Sequence, residues 1–155
     1  LHLVKGFCKS VRAQAGLTAG KHLFKGLISR ICSEKFTREG MVEYISVKIS
    51  AKASNNLAVP PQDLVIVIAN LFENAINATA KLNGKGRNID IQIKDSPERL
   101  LVKIDNPCRA NLSFDETLYG IGIRSVIATT TKYEGMYDFT AEDGVFSAKI
   151  ILNLR

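Results

Sequence analysis

Residues 63–81 read DLVIVIANLFENAINATAK, and the fold class depends on whether they form a helix or a strand. Its β-branched run, Val65-Ile66-Val67-Ile68, would suit a buried strand as well as a helix. Length favours the helix, because no breaker interrupts the stretch, whereas a typical strand has about five or six residues. The preceding Pro60-Pro61 pair is tolerated in a first helical turn, and the acidic Asp63 suits the positive end of a helix dipole. We predict a largely buried helix over residues 63–81.

This helix carries a stripe of asparagines. Asn70, Asn74 and Asn77 stand at positions i, i+4 and i+7, which places their side chains on one face. Asparagine is a poor helix former, and solvent-facing stripes usually carry Lys, Glu or Gln. Buried amides need hydrogen-bond partners, which a polar ligand or a hydrated metal ion supplies. The stripe therefore predicts a ligand site, with a plain solvent-facing stripe as the alternative.

Outward from this helix, residues alternating in polarity predict strands, and apolar residues three or four apart predict helices. The remaining helices are expected over 21–39 and 120–133, loops over 51–59 and 106–119, and strands over 45–50, 89–93, 101–104, 136–142 and 145–154. The order of elements predicts an α+β fold, a two-layer α/β sandwich. Its mixed sheet has about five strands, with about three helices packed on one face.

Bulk properties exclude several classes of function. A chain of 155 residues is the size of one ordinary domain. Its net charge is +6, but the basic residues are scattered and not interleaved with aromatics, so we expect no nucleic-acid partner. Three cysteines, at positions 8, 32 and 108, lack the paired spacing of a zinc site and indicate reduced thiols. The most apolar run, 64–69, is far shorter than the roughly 20 residues of a membrane span.

Two further motifs suit a phosphorylated ligand. Asp105-Asn106-Pro107 ends the second hairpin strand, where a carboxylate can accept hydrogen bonds at a sheet edge. Gly120-Ile121-Gly122 stands immediately before a helix, so that backbone N–H groups at the helix N-terminus can approach phosphate oxygens. Each motif alone is also compatible with an ordinary turn.

Taken in order, these motifs resemble the nucleotide-binding fold shared by histidine kinases, DNA gyrase, heat-shock chaperones and mismatch-repair ATPases, the GHKL superfamily. The likeness covers residues 21–155 and is greatest to sensor histidine kinases. Residues 70–75 (NLFENA) resemble the asparagine box, residues 120–126 (GIGIRSV) the later glycine box, and residues 133–146 the closing hairpin. The resemblance implies an ATP-binding catalytic domain that transfers the γ-phosphate to a histidine on a separate domain.

The resemblance also implies roles for individual residues. Asn74 would coordinate Mg²⁺ that bridges the phosphates of ATP or ADP, and Asn70 would lie beside the phosphate chain as the catalytic position. Asp105 would accept a hydrogen bond from the adenine amino group. Gly120 and Gly122 would form the hinge of an ATP lid over residues 107–119.

Other nucleotide-binding positions implied by the resemblance are Asn77, Ile121 and Arg124. The cation that meets the phosphates is unassigned, because Asn77 stands where many members carry a charge. Arg124, Lys81 and Lys132 are candidates. No glycine follows Asp105 closely, in contrast to the first glycine box of most kinases.

Asn70 bears on the mechanism. Hydrolysing members of the superfamily place at this position a glutamate that activates water, and an amide cannot act as that general base. Phosphoryl transfer to histidine needs mainly positioning, charge stabilisation and exclusion of water. Asn70 thus favours a kinase over a hydrolase.

The expected partners follow from the same resemblance. Neither His2 nor His22 is followed by an acidic residue, so we expect the acceptor histidine on a dimerisation domain of the same protein, with residues 1–20 as the end of its helix. A response regulator would receive the phosphate, and the parent would be a membrane-anchored homodimer with this domain in the cytoplasm. Two alternatives stay open: a non-catalytic, kinase-like binding module, and a protein serine kinase similar to anti-sigma factors.

Overall fold

The central helix forms where the sequence predicts it. In the computed structural model, which describes residues 36–38, 41–43, 45–53, 57–82, 87–109 and 119–154, helix α1 spans Pro61–Ala80. Proline stands at its first position and Asp63 in its first turn, as the sequence indicates. Its buried side chains, among them Leu64, Leu71 and Phe72, recur three or four residues apart. Burying one such side chain contributes about 1.5–3 kcal/mol, so this face anchors the helix.

The strands form a large sheet and a separate hairpin. Their order in the large sheet is β3-β4-β5-β7-β6, with β3 and β4 parallel and every other pair antiparallel. Helix α1 connects the parallel pair, since parallel strands require a long crossover. The strands are β1 (Phe36–Arg38), β2 (Met41–Glu43), β3 (Ser46–Lys52), β4 (Asn88–Asp95), β5 (Arg99–Pro107), β6 (Met136–Glu142) and β7 (Val145–Asn153).

The large sheet has two unlike faces, here called the helix face and the open face. Side chains of β4, β5 and β7 are alternately buried and accessible along each strand. The buried set, which includes Ile91, Ile104 and Ile150, forms one hydrophobic cluster with α1 and with helix α2, Ile121–Lys132. Accessible charged side chains such as Lys94 and Lys149 occupy the open face. The predicted mixed five-stranded sheet with helices on one face is confirmed.

The two helices are joined at the end of the molecule away from the glycine motif. Asp63 in α1 accepts hydrogen bonds from Lys132 Nζ at 2.7 Å and from Tyr133 Oη at 2.5 Å. Burial raises the pKa of Asp63, but these hydrogen bonds and the charge of Lys132 outweigh it and hold the pKa below its usual value. Burial, together with the bond to Asp63 and its charge, raises the pKa of Tyr133. This contact fixes the start of α1 against the end of α2.

The β6–β7 hairpin closes as the Asp143-Gly144 pair indicates. Both residues have positive φ, 49° and 76°, which is the backbone of a type I′ turn and suits Asp-Gly. The Gly144 carbonyl oxygen accepts from the Cys108 backbone N–H at 2.8 Å. The tip of this hairpin is therefore attached to the segment that follows β5.

Three local predictions were wrong. Phe36–Arg38, at the end of the predicted helix 21–39, form β1, because they pair with β2, a contact that local periodicity does not register. Residues 21–35 and 39 lie outside the described residues. The predicted loop 51–59 starts late, since β3 continues beside β4 to Lys52. The irregular stretch from Asn106 also starts late, since β5 continues beside β7 to Pro107. Pairing with β4 has ended before this residue, so proline is tolerated there although it has no N–H to donate.

The described residues contain two α-helices, and neither is long and apolar enough to cross a membrane. The expected N-terminal segment 1–20 and most of the expected lid, residues 110–118, lie outside the described part of the chain.

Candidate functional site

A cleft of about 470 Å³ opens where the end of α1, the start of α2 and the end of β5 meet. We call it the α1–α2 cleft. Its lining is apolar over most of its area but carries an amide and two cations. The lining residues are Asn74, Ala78, Lys81, Leu82, Cys108, Arg109, Tyr119, Gly120, Ile123 and Phe146. An apolar hollow with a few convergent polar groups is the usual form of a small-molecule site.

Asn74 is the polar residue of α1 in this lining. Its Nδ2 atom is buried and has no hydrogen-bond partner among the described residues. Leaving such a group unpaired costs about 1–3 kcal/mol, so a ligand that accepts a hydrogen bond from it would be stabilised here. An amide also offers an oxygen to a hard cation. The chemistry of Asn74 therefore fits both a polar ligand and a magnesium ion.

Asn70 lies one turn earlier and faces the start of α2. Its Nδ2 donates to the Ile66 carbonyl oxygen at 2.7 Å, which fixes the amide along its own helix. A Cβ atom built on Gly122 would lie 3.2 Å from Asn70 Oδ1, closer than ordinary van der Waals contact. Glycine at position 122 thus lets the first turn of α2 approach Asn70 closely. The structure brings these two predicted residues together.

The N-terminus of α2 is directed at the cleft. Gly120 lines it as the N-cap residue, and the first helical hydrogen bond runs from the Arg124 N–H to the Gly120 carbonyl oxygen. The backbone N–H groups of residues 121–123 precede that bond and have no partner within the helix. Together with the helix dipole they form an anion-binding site. The side chain of Ile121 itself is 86% exposed, so only its backbone suits a ligand.

Four basic residues can now be placed relative to the cleft. Lys81 and Arg109 line it from α1 and from the end of β5. Arg124 is exposed on α2 and is not among the lining residues. Lys132 is bonded to Asp63 and lines a different hollow at the opposite end of β5. Of the predicted candidates, only Lys81 lines the cleft. Arg109 was missed because the predicted strand stopped at residue 104, whereas β5 continues to Pro107.

Asn77 and Asp105 lie outside the cleft lining, as do the predicted residues Asn70, Ile121, Gly122 and Arg124. Asn77 is half-buried on α1 and is not among the lining residues. Asp105 lies on the open face, where its Oδ2 accepts from Lys103 Nζ at 2.8 Å. Its Oδ1 is buried and has no hydrogen-bond partner in the described part of the chain, but the sheet separates it from the helices. The structure therefore places Asp105 apart from Asn74 and Gly120.

Asn106, the next residue, lies on the helix face. It is 2% exposed and continues the buried series of Val102 and Ile104 along β5. Its strand partner Phe146 and the residue two positions later, Cys108, both line the cleft. The signal was in the sequence, because alternation from Ile104 assigns Asn106 and not Asp105 to the buried face.

An aromatic cluster borders the cleft on the β6–β7 side. The rings of Phe139 and Phe146 are stacked, with centroids 6.4 Å apart, and Tyr119 meets Phe139 edge to face at 5.7 Å. Phe146 and Tyr119 belong to the lining, so this wall of the cleft is apolar and flat-sided. Burial raises the pKa of the neighbouring Cys108 thiol, which keeps this wall uncharged.

The family model described as the GHKL domain matches residues 59–153. The chain belongs to the GHKL domain family. No curated protein sequence matches the chain significantly. Membership in this family implies nucleotide binding, and it confirms the resemblance carried by the asparagine stripe and the Gly120-Ile121-Gly122 motif.

Solved structures similar to this GHKL domain include three histidine kinases. The histidine kinase AdeS of Acinetobacter baumannii is 14% identical with a TM-score of 0.58, over 99% of this chain and 78% of that one. A blue-light activated histidine kinase of Erythrobacter litoralis is 14% identical with a TM-score of 0.63, over 99% and 57%. The nucleotide-free catalytic domain of histidine kinase ThkA is 14% identical with a TM-score of 0.55, over 94% and 92%. These likenesses concern the fold, and the chain spans little more than half of the Erythrobacter protein.

Proposed function

We propose that this GHKL domain binds ATP with Mg²⁺ in the α1–α2 cleft and is the catalytic domain of a sensor histidine kinase. The observation that carries the proposal is the buried, unpaired amide of Asn74 beside the N-terminus of α2. The unpaired Nδ2 donor and the helix N-terminus are complementary to phosphate oxygens, and the oxygen of the same amide can bind a hydrated cation. The family and the fold of its structural neighbours support this assignment.

The cleft suits an anionic ligand at both of its ends. The first turn of α2 presents backbone N–H groups, and Gly120 has no side chain to cover them. Lys81 and Arg109 add two positive charges on the other side, and no ion pair involving either is seen among the described residues. Cations without protein partners are available to phosphate oxygens. We assign the phosphate-binding role to these two residues, and not to Arg124 or Lys132.

Asn74 would hold Mg²⁺ through its side-chain oxygen. The ion, when bound, neutralises charge on the phosphates, and it takes most of its ligands from phosphate oxygens and water. Asn70 would lie beside the phosphate chain, with its amide held by the Ile66 carbonyl and packed against Gly122. Neither amide can accept a proton from water, so the site positions a phosphate and does not activate a hydrolytic nucleophile.

The reaction that fits such a site is transfer of the γ-phosphoryl group to an imidazole nitrogen. The imidazole lone pair forms the new P–N bond, the bond to the β-phosphate oxygen breaks, and ADP leaves with that electron pair. The acceptor histidine would lie on a separate dimerisation domain, and a response regulator would take the phosphate next. The segment 107–119 would act as the lid, and the parent protein would be a membrane-anchored homodimer.

Calorimetry with ATP and ADP, each with and without Mg²⁺, tests the proposal. We expect both nucleotides to bind and Mg²⁺ to strengthen binding. Asn74→Ala should abolish the strengthening by Mg²⁺, whereas Asn88→Ala, an exposed asparagine at the start of β4, should change nothing. A folded domain that binds neither nucleotide at millimolar concentration would contradict the proposal and favour the non-catalytic binding module.

A second measurement separates the kinase classes. In the full-length protein, radiolabel from γ-labelled ATP should be acid-labile, because phosphohistidine hydrolyses in acid. Acid-stable label on a protein serine would contradict the histidine kinase assignment and favour the serine kinase related to anti-sigma factors.

A further inference from the structure

We infer that Asn106, and not Asp105, recognises the base in the α1–α2 cleft, and that it selects adenine through a neutral amide oxygen. The inference rests on the proposed function, since it names the residue that reads the base of the same nucleotide. It also means that a neutral side chain, and not a carboxylate, selects the base. The Asp105-Asn106 motif alone does not indicate this.

The burial of Asn106 is the first observation. Among the described residues of the five-stranded sheet it is the only buried polar side chain. Its neighbours along the helix face of β5 are Ile104 and Val102, both essentially inaccessible. A polar group in such an apolar layer needs hydrogen-bond partners. Because Cys108 and Phe146 beside it line the cleft, Asn106 is a buried polar group directly behind this wall of the cleft.

The orientation of the amide is the second observation. Asn106 Nδ2 donates to the Pro107 carbonyl oxygen at 3.0 Å. Rotating the amide by half a turn would bring its Oδ1 against that carbonyl oxygen, and two acceptors repel. Oδ1 is therefore held away from Pro107, and no hydrogen bond to it is seen among the described residues. The side chain presents a fixed acceptor.

A fixed acceptor discriminates between purine bases. The 6-amino group of adenine donates a hydrogen bond to it, whereas the 6-oxo group of guanine repels it. A site built for one hydrogen bond rejects a ligand that cannot make it, because a buried polar group is then left unpaired. Asp105 cannot take this role, since it lies across the sheet and bonds to Lys103.

The experiment compares affinities for ATP and GTP in the intact domain. Wild type should prefer ATP by roughly ten-fold or more, the amount that one buried hydrogen bond represents. Asn106→Ala should bring the two affinities together, whereas Asp105→Ala should leave the preference unchanged. Loss of the preference in Asp105→Ala, or its persistence in a folded Asn106→Ala, would overturn the inference.

Asn106→Ser covers the case in which the alanine variant does not fold, because it keeps a small polar side chain at the buried position. A hydroxyl donates as well as accepts, so it can pair with the 6-amino group of adenine or with the 6-oxo group of guanine, and the preference for ATP should be lost. A folded Asn106→Ser variant with the wild-type preference would refute the assignment. If wild type binds no nucleotide, the proposed function fails as well; if it binds ATP but position 106 does not affect selectivity, only this inference fails.

Discussion

Replacing Gly122 by alanine tests whether the close approach of α2 to Asn70 matters for ligand binding. The added Cβ would lie 3.2 Å from Asn70 Oδ1 and 3.6 Å from Asn70 Cβ and Cγ. Asn70 cannot move away freely, because its Nδ2 is bonded to the Ile66 carbonyl oxygen at 2.7 Å. The side chain must shift by a few tenths of an ångström or weaken that bond.

The magnitude follows from two opposing effects. Overpacking at such a contact costs about 2 kcal/mol, at the middle of the usual range, and alanine is favoured over glycine in a helix by about 1 kcal/mol. We expect Gly122→Ala to lower the free energy of unfolding by about 1 kcal/mol. ATP affinity should fall further, by roughly ten-fold, because Asn70 is displaced from the phosphate chain.

Gly122→Ala in an Asn70→Ala background is the matched control. Without the Asn70 Oδ1, the nearest remaining atom is the Cβ of residue 70 at 3.6 Å, which is ordinary van der Waals contact. In this background Gly122→Ala should not lower the free energy of unfolding or the ATP affinity further. Urea denaturation gives the stabilities and calorimetry gives the affinities. If Gly122→Ala has the same effect in both backgrounds, the packing of Gly122 on Asn70 is not important.

Three further changes have definite expected outcomes. Gly135→Ala should lower the free energy of unfolding by more than about 3 kcal/mol, because a Cβ there would lie 2.1 Å from the Ile151 backbone oxygen. The loss would be measured as a large drop in the thermal midpoint, and a variant as stable as wild type would contradict it. Asp63→Asn should make stability depend less on pH in the acid range, because a carboxylate with a lowered pKa stabilises the fold above its unfolded pKa. In wild type this stabilisation is lost as the pH falls below about 4. Urea midpoints that change in parallel for both proteins down to about pH 2 would exclude this role of Asp63. Asn70→Glu should raise phosphate release from ATP above the wild-type background, since general-base help gives about 10²–10⁴-fold, and an unchanged rate in a variant that still binds ATP would count against the proposed position of residue 70.

Elements whose signals are local could be predicted from the amino-acid sequence. Helix α1 follows from its apolar spacing and its proline start, and the β6–β7 turn follows from Asp143-Gly144, whose positive φ values suit few other pairs. The asparagine motif is equally local. Residues four apart on a helix share a face whatever surrounds them, so Asn70 and Asn74 could be placed together before any tertiary contact was known.

Other features depend on contacts between distant segments, and local patterns missed them. Phe36–Arg38 have the spacing of a helix but pair as a strand with β2. Lys52 and Pro107 extend β3 and β5 because the neighbouring strands offer backbone partners there. Arg109 reaches the cleft because the hairpin tip at Gly144 holds the Cys108 backbone beside it.

The assignment of residues to the two faces of β5 is the clearest division between sequence and structure. The motif and the family resemblance favoured Asp105, whose carboxylate can accept a hydrogen bond at the sheet edge. The packing of Ile104 against the helices turns Asn106 to the helix face and Asp105 to the open face, where Lys103 pairs with it. Alternation along the strand already places these two residues on opposite faces of the sheet. Which face borders the cleft depends on tertiary packing, because the helices cover only the face that carries the buried apolar set.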